Sequence, residues 1–124
     1  MNLTLNILVV VIAFLHFYFL ILEMFLWTKP AGLRAFGQKL EKAQDSAVLA
    51  ANQGLYNGFL AAGLIWSLIH PFPGTASELK IFFLACVAIA GLYGAYSVSR
   101  KIFFIQALPA LIALSLTFYL RTQI

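Results

Sequence analysis

Hydrophobic residues fill four long segments of the chain, and charged and proline residues concentrate in the short stretches between them. A helix that crosses a bilayer needs roughly 20 mostly apolar residues. Each segment meets that length, so the pattern predicts four membrane-spanning helices. They cover about residues 3–27, 47–69, 79–98 and 102–120.

The connections between these segments carry helix signals of their own. The first places apolar residues at helical spacing and basic residues on the other faces, which predicts a short amphipathic helix in the headgroup region. The alternative is a solvated extension of the second span. The apolar positions are Leu33, Phe36, Leu40, Ala43 and Ala47. In the second connection, Pro71 and Pro73 should stop the helix. Thr75 followed by Glu78 predicts a capping box at the start of the third span.

Composition fixes the class of protein. Of the 124 residues, 63% are hydrophobic and 10% are charged, whereas a soluble domain is about half apolar and about a quarter charged. The first segment lacks a basic leader and a small-residue cleavage site, so we interpret it as a retained span. We therefore predict an all-α integral membrane protein, a four-helix transmembrane bundle that forms one domain over residues 1–124.

Basic residues predict the orientation of the bundle, since cytoplasmic loops carry an excess of lysine and arginine. Six fall on one side and two on the other. The six are Lys29, Arg34, Lys39, Lys42, Arg100 and Lys101, and the two are Lys80 and Arg121. Both termini should therefore face outward, and the basic cytoplasmic face should attract anionic lipids of the bilayer. These residues flank spans, which argues against nucleic acid as a partner.

All four predicted spans place polar or ionisable residues in the cytoplasmic half of the bundle. They are His16, Glu23, Asn52, Gln53, Asn57, Tyr93 and Gln106, with Arg100 at the cytoplasmic surface. Helical rise places Asn52, Gln53 and Gln106 near the depth of Glu23, and Asn57 near the depth of His16. Each such group needs a partner or water. We therefore predict one shared polar cavity near the cytoplasm.

Glu23 and His16 lie seven residues apart and share a helix face, so they are the candidates for proton transfer. The amides, Tyr93 and Arg100 are candidate ligand-binding residues. The structural alternative is that the amides join helices and that Arg100 anchors the topology. A metal site needs three or four ligands, so none is predicted, and no motif names a cofactor. Pro109 should kink or loosen the fourth helix just beyond Gln106.

Two stretches resemble a known family: ANQGLYNGFLAAGLIW, Ala51–Trp66, and GLYGAYSVSRKIFFIQALPALIAL, Gly91–Leu114. They are similar to a family of small bacterial four-span membrane proteins that is grouped as a domain of unknown function. The similarity extends over nearly the whole chain. It implies four helices and a location in the bacterial inner membrane, and it brings no established activity.

A remoter resemblance in architecture is to the membrane-associated eicosanoid and glutathione metabolism superfamily. That superfamily also has four spans, outward termini and a site in the cytoplasmic half. Asn52 stands at the Asn of its second-span motif, but Val48 and Leu55 stand where Arg and Glu are expected. These departures argue against glutathione binding. The architecture would imply a trimer with sites between subunits.

Three functions fit these observations. The leading hypothesis is that the cavity binds a small amphipathic or lipid-like ligand; whether a reaction follows is left open. The second is a proton-coupled small-molecule exporter that acts as an oligomer. The third is a structural module that assembles in the membrane. A homo-oligomer, dimer or trimer, is expected.

Overall fold

The computed structural model describes residues 2–123, and regular structure within this range is entirely helical. The helices are α1 (Leu3–Met24), α2 (Pro30–Phe36), α3 (Leu40–Ile69), α4 (Pro73–Ser97) and α5 (Leu108–Arg121). A π-helical turn, Phe103–Ala107, runs directly into α5. The all-α prediction is therefore confirmed for the described residues.

Three helical segments are long and apolar enough to cross a membrane: Leu3–Met24, Pro73–Ser97 and Phe103–Arg121. They correspond to the first, third and fourth predicted spans. The second predicted span lies in α3, which is 30 residues long. Three amides in its middle, Asn52, Gln53 and Asn57, lower its mean hydropathy, and its span remains a prediction.

The first connection folds differently from the single amphipathic helix that the sequence predicted. Lys29 is extended because it precedes Pro30, which opens α2. Gly37, at φ 60°, closes α2 in the left-handed conformation that glycine adopts most readily. Leu40 and the residues that follow belong to α3. The helix predicted to be amphipathic is thus limited to seven residues. From Leu40 onward the chain forms one continuous helix with the segment predicted as the second span, and the membrane crossing of that segment remains a prediction.

Proline residues set the next boundaries as predicted. α3 ends at Ile69, just before Pro71, and α4 begins at Pro73. The predicted capping box is wrong, since the residue that precedes α4 is Phe72 and no side chain caps the helix. Pro73 fits the first helical position because its missing N–H would have no partner there. It therefore starts the helix two residues before Thr75.

Pro109 loosens the fourth helix, as predicted. In the turn before it, the Leu108 N–H donates to the Phe103 carbonyl five residues back, which is the π-helical pattern. Proline cannot donate, and its ring clashes with the carbonyl four residues earlier in a regular helix. The wider turn moves that carbonyl, so the chain continues into α5 without a break.

The described chain divides into two compact units. One consists of residues 14–61 and contains the second half of α1, α2 and most of α3. The other consists of residues 2–13 and 62–123 and contains α4, the π-helical turn and α5. In the second unit, Gly91 of α4 faces the backbone of Ala107, where an added Cβ would lie 2.6 Å from the amide nitrogen.

Candidate functional site

The candidate site lies where α1 and α3 pack together within residues 14–61. Two glycines of α3 make this approach close. A Cβ at Gly54 would lie 2.7 Å from Met24 Cγ, and a Cβ at Gly58 would lie 2.6 Å from Leu20 Cδ1. Small residues let membrane helices come near enough for short side chains to meet. Gly54 and Gly58, four residues apart in the sequence, therefore allow the close contact of α3 with α1.

A hydrogen bond between Glu23 and Asn57 crosses this contact. The Asn57 Nδ2 atom donates to Glu23 Oε1 at 2.5 Å, and both residues are half-buried. A carboxylate offers about four lone-pair sites in its plane. A single donor leaves most of that capacity available, so the pair can receive a further donor from a ligand or from water.

The level of Asn57 differs from the prediction. Counting helical rise placed Asn57 opposite His16, whereas it bonds to Glu23, two turns nearer the end of α1. Gly58 packs against Leu20, so Asn57 lies about one turn nearer the end of α1 than His16, within reach of Glu23. α1 and α3 are antiparallel, so moving back from Leu20 to His16 moves forward along α3 from Gly58. His16 therefore lies near the level of Ala61.

His16 is part of the core. Its side chain is 0% exposed, and its ring meets Phe19 edge-on with centroids 5.5 Å apart. Along α3, Ala61 is 1% exposed. A ring with no accessible surface cannot touch a ligand without a rearrangement of its neighbours. The structure thus distinguishes the two residues of the predicted pair. Glu23 is half-buried at the contact between α1 and α3, whereas His16 is fully buried.

Asn52 and Gln53 are exposed on α3, beside buried Gly54. Gly54 packs against Glu23 and Met24, so these two amides lie near the level of Glu23, as predicted, but on the outer surface of α3. They can bind water, lipid head groups or another chain. They do not enter the contact between α1 and α3.

The remaining predicted residues belong to the other compact unit. Tyr93 is 70% exposed on α4, and Arg100 is exposed in the turn that follows this helix. Gln106 is half-buried within the π-helical turn. That these three join Glu23 in one cavity remains a prediction.

Comparison with known proteins gives the chain a family. Residues 10–118 match the family described as "Protein of unknown function (DUF1304)". The chain belongs to this family. It is also 31% identical over 115 residues to the uncharacterized protein YpaA of Lactococcus lactis. The aligned region covers 91% of this chain and 95% of the relative. No solved structure matches the chain significantly.

The DUF1304 match confirms the resemblance to a family of unknown function, and it spans all the predicted site residues. One charged residue in the matched region is buried and was missed as a candidate. Lys80, taken as a flanking charge for orientation, is only 9% exposed. A signal was present in the sequence, because Lys80 comes seven residues after the proline that starts α4 and so lies inside the helix.

Proposed function

We propose that this DUF1304 protein binds a small amphipathic molecule in the bacterial cytoplasmic membrane, with the molecule's head group at Glu23. The observation that carries the proposal is the Glu23–Asn57 hydrogen bond. It lies at an otherwise apolar contact, where Gly54 and Gly58 bring α3 close to α1. Ionisable residues within membrane helices are unfavourable and usually mark functional sites. Asn57 positions the carboxylate, and the ligand supplies the second hydrogen bond.

The surroundings of Glu23 favour a particular kind of ligand. A carboxylate accepts hydrogen bonds, so the head group should carry an N–H or O–H donor. Leu20 and Met24, one turn before Glu23 and next to it, are half-buried apolar side chains beside the same contact. They fit an apolar tail. An amine or hydroxyl head on a hydrocarbon chain meets both requirements.

The proposal includes the four-span arrangement of one domain. α3 is about 45 Å long at 1.5 Å per residue, which exceeds the roughly 30 Å hydrocarbon core of a bilayer. Its apolar second half would lie in lipid and its charged first turns, around Glu41 and Asp45, in water. The charge bias predicts that Glu23 lies near the cytoplasmic side and that both termini face outward.

Native mass spectrometry of the purified chain, released from mild detergent, tests binding and subunit number together. We expect a co-purifying small molecule on the wild-type chain and its loss in Glu23→Gln. Glu41→Gln is the matched control, because it removes an exposed acid from α3 and should retain the molecule. Equal occupancy of wild type and Glu23→Gln, or no added mass on either, would contradict the proposal.

Proton-coupled export is the second candidate, and one observation favours it. Glu23 is bonded to a neutral amide, so the carboxyl can gain and lose a proton without breaking an ion pair. An exporter should release protons from liposomes when a cationic amphiphile such as ethidium is added, and Glu23→Gln should abolish the release. Binding without proton release would favour the first function. If Glu23→Gln and His16→Ala changed neither property, a structural role in assembly would be supported.

A further inference from the structure

Asn52 lies within an exposed apolar stripe on α3. The stripe consists of exposed residues that are alternately four and three positions apart: Val48, Asn52, Leu55 and Phe59. Gly54, which packs against α1, follows Asn52 by two residues, or about 200° around the helix axis. The stripe therefore lies on the side of α3 that faces away from α1.

The Asn52 amide makes no side-chain hydrogen bond to any residue in the described range 2–123. A carboxamide carries two N–H donors and an oxygen that accepts. Asn52 lies about 10 Å along the helix from the charged Asp45, and the four-span arrangement proposed above places it in lipid. Lipid tails can cover the apolar side chains of the stripe, but they offer the amide no partner. The partner of Asn52 must come from another polar molecule.

The spacing of the stripe is that of helices that coil around one another. Apolar residues at an average spacing of 3.5 keep a continuous seam toward a neighbouring helix, and a single Asn in such a seam fixes its register. The earlier positions of the same spacing, Glu41 and Asp45, are charged, so the apolar seam begins at Val48. Beyond Phe59 the spacing continues along the sequence at Ala62, Trp66 and Ile69.

A second copy of this chain offers the partner that Asn52 lacks. Copies arranged around an axis along the membrane normal hold each residue at the same depth, so that Asn52 of one copy can meet Asn52 of the next. An amide both donates and accepts, and two identical amides can therefore bond to each other, whereas two lysines or two carboxylates repel. Such a pair would remove the cost of holding a lone amide in lipid.

We propose that this stripe is the interface between copies of the chain, with Asn52 of one copy hydrogen-bonded to Asn52 of the next. The inference rests on the four-span arrangement of the proposed function and does not require a ligand at Glu23. The Glu23–Asn57 bond lies on the α1 side of α3. Association and ligand binding can therefore be tested separately.

Sedimentation equilibrium of the full chain in density-matched detergent measures the association. Apolar side chains give membrane helices no hydrophobic drive to associate, so Asn52→Leu should weaken association roughly 3- to 30-fold, the effect of one interhelical hydrogen bond. Asn52→Gln keeps an amide and should still associate. Gln53→Leu is the matched control, because it removes an exposed amide that lies about 100° away and outside the stripe. It should associate like wild type.

Disulfide cross-linking in phosphatidylcholine liposomes locates the interface. The chain has a single cysteine, Cys86, and Cys86→Ala provides a background without it. In that background, Phe59→Cys should form cross-linked dimers on oxidation and Phe17→Cys should not. Phe17 is the matched control on α1, since the two side chains are 57% and 51% exposed. Both lie near the level where Gly58 packs against Leu20.

Three results would overturn the proposal: a monomeric wild type, association of Asn52→Leu equal to that of wild type, or cross-linking of Phe17→Cys as complete as that of Phe59→Cys. Native mass spectrometry of Glu23→Gln separates it from the ligand proposal, because this variant should lose the co-purifying molecule and keep the subunit number of wild type. Helical circular dichroism shows that each variant is folded, and the cysteine pair keeps the test valid if Asn52→Leu is not.

Discussion

Two helix contacts in this molecule each have glycine at the point of close approach, and they differ in the polarity of the side chains between the helices. Within residues 14–61, α1 and α3 are antiparallel and meet at Gly54 and Gly58. Within residues 62–123, α4 meets the π-helical turn and α5 at Gly91. The first contact contains the Glu23–Asn57 hydrogen bond. The second is lined by alanines, and its one ion pair lies at an exposed end.

The glycines show that the two contacts differ in tightness. A Cβ at Gly58 would press on the end of the Leu20 side chain, which can rotate away. A Cβ at Gly91 would press on the nitrogen and Cα of Ala107, which cannot move without moving the helix. Side-chain contacts can adjust to a ligand and backbone contacts cannot. At Gly54 an added Cβ would also meet the Leu20 carbonyl oxygen at 3.2 Å, so the comparison indicates that the first contact can adjust to a ligand at its Gly58 end and that the second contact is suited to support.

Gly91→Ala should produce the largest loss of stability. The added methyl group meets backbone atoms at 2.6 and 2.8 Å, so α4 and the π-helical turn must separate. Overpacking of this kind costs about 1–3 kcal/mol. Thermal melting in detergent, followed by circular dichroism, measures the effect. Gly74→Ala is the control, since no atom lies within 4 Å of its added Cβ; equal melting of the two variants would contradict the difference in tightness.

Asn57→Leu should have the next largest effect, because it leaves the Glu23 carboxyl without its partner. Hydrogen bonds between membrane helices contribute about 0.6–2 kcal/mol, and we expect a loss in that range. A double-mutant cycle with Glu23→Ala, which removes the acceptor, isolates the pair by comparing melting of the single and double variants. Additive effects of the two substitutions would show that the bond contributes nothing to folding.

How far the sequence predicted these contacts follows from particular residues. Pro71, Pro73 and Pro109 act through local backbone chemistry, so the helix boundaries and the loosened fourth helix could be predicted. The level of Asn57 depends on how α1 and α3 pack at Gly54 and Gly58, which helical spacing alone does not give. The predicted amphipathic helix ran across the turn at Gly37 because Leu33, Phe36 and Leu40 keep helical spacing on both sides of it.

Burial was harder to predict than position. Glu23 and Asn57 were both selected as candidates, because polar residues in an apolar segment are conspicuous. Which side of α3 faces α1 depends on packing, and helical spacing alone did not place Asn57 inward and Asn52 and Gln53 outward. Lys80 was missed for a related reason. A lysine near a helix end usually serves as a flanking charge, and only the three-dimensional packing shows that this one is covered.

Glu78→Gln should have a smaller effect than Asn57→Leu, although both remove one partner of a polar pair. The Glu78 and Arg121 side chains are 64% and 43% exposed. Exposed ion pairs contribute about 0–1 kcal/mol because water and salt screen them. Melting in low and high salt measures the effect, which should shrink as salt is added. A loss as large as that of Asn57→Leu, insensitive to salt, would mean that the exposed pair holds the second contact together.

Gly58→Ala should change stability least and thereby sharpen the comparison with Gly91→Ala. The new methyl group meets only Leu20 side-chain carbons, with Cδ1 at 2.6 Å, and a rotamer change can relieve that contact. Alanine in a helix interior is also favoured over glycine by about 0.5–1 kcal/mol, which offsets the remaining strain. We expect a melting temperature close to that of wild type and an unchanged effect of Asn57→Leu in the double variant. A loss equal to that of Gly91→Ala would show that Leu20 is held rigidly, and the α1–α3 contact would then have no more room for a ligand than the α4 contact has.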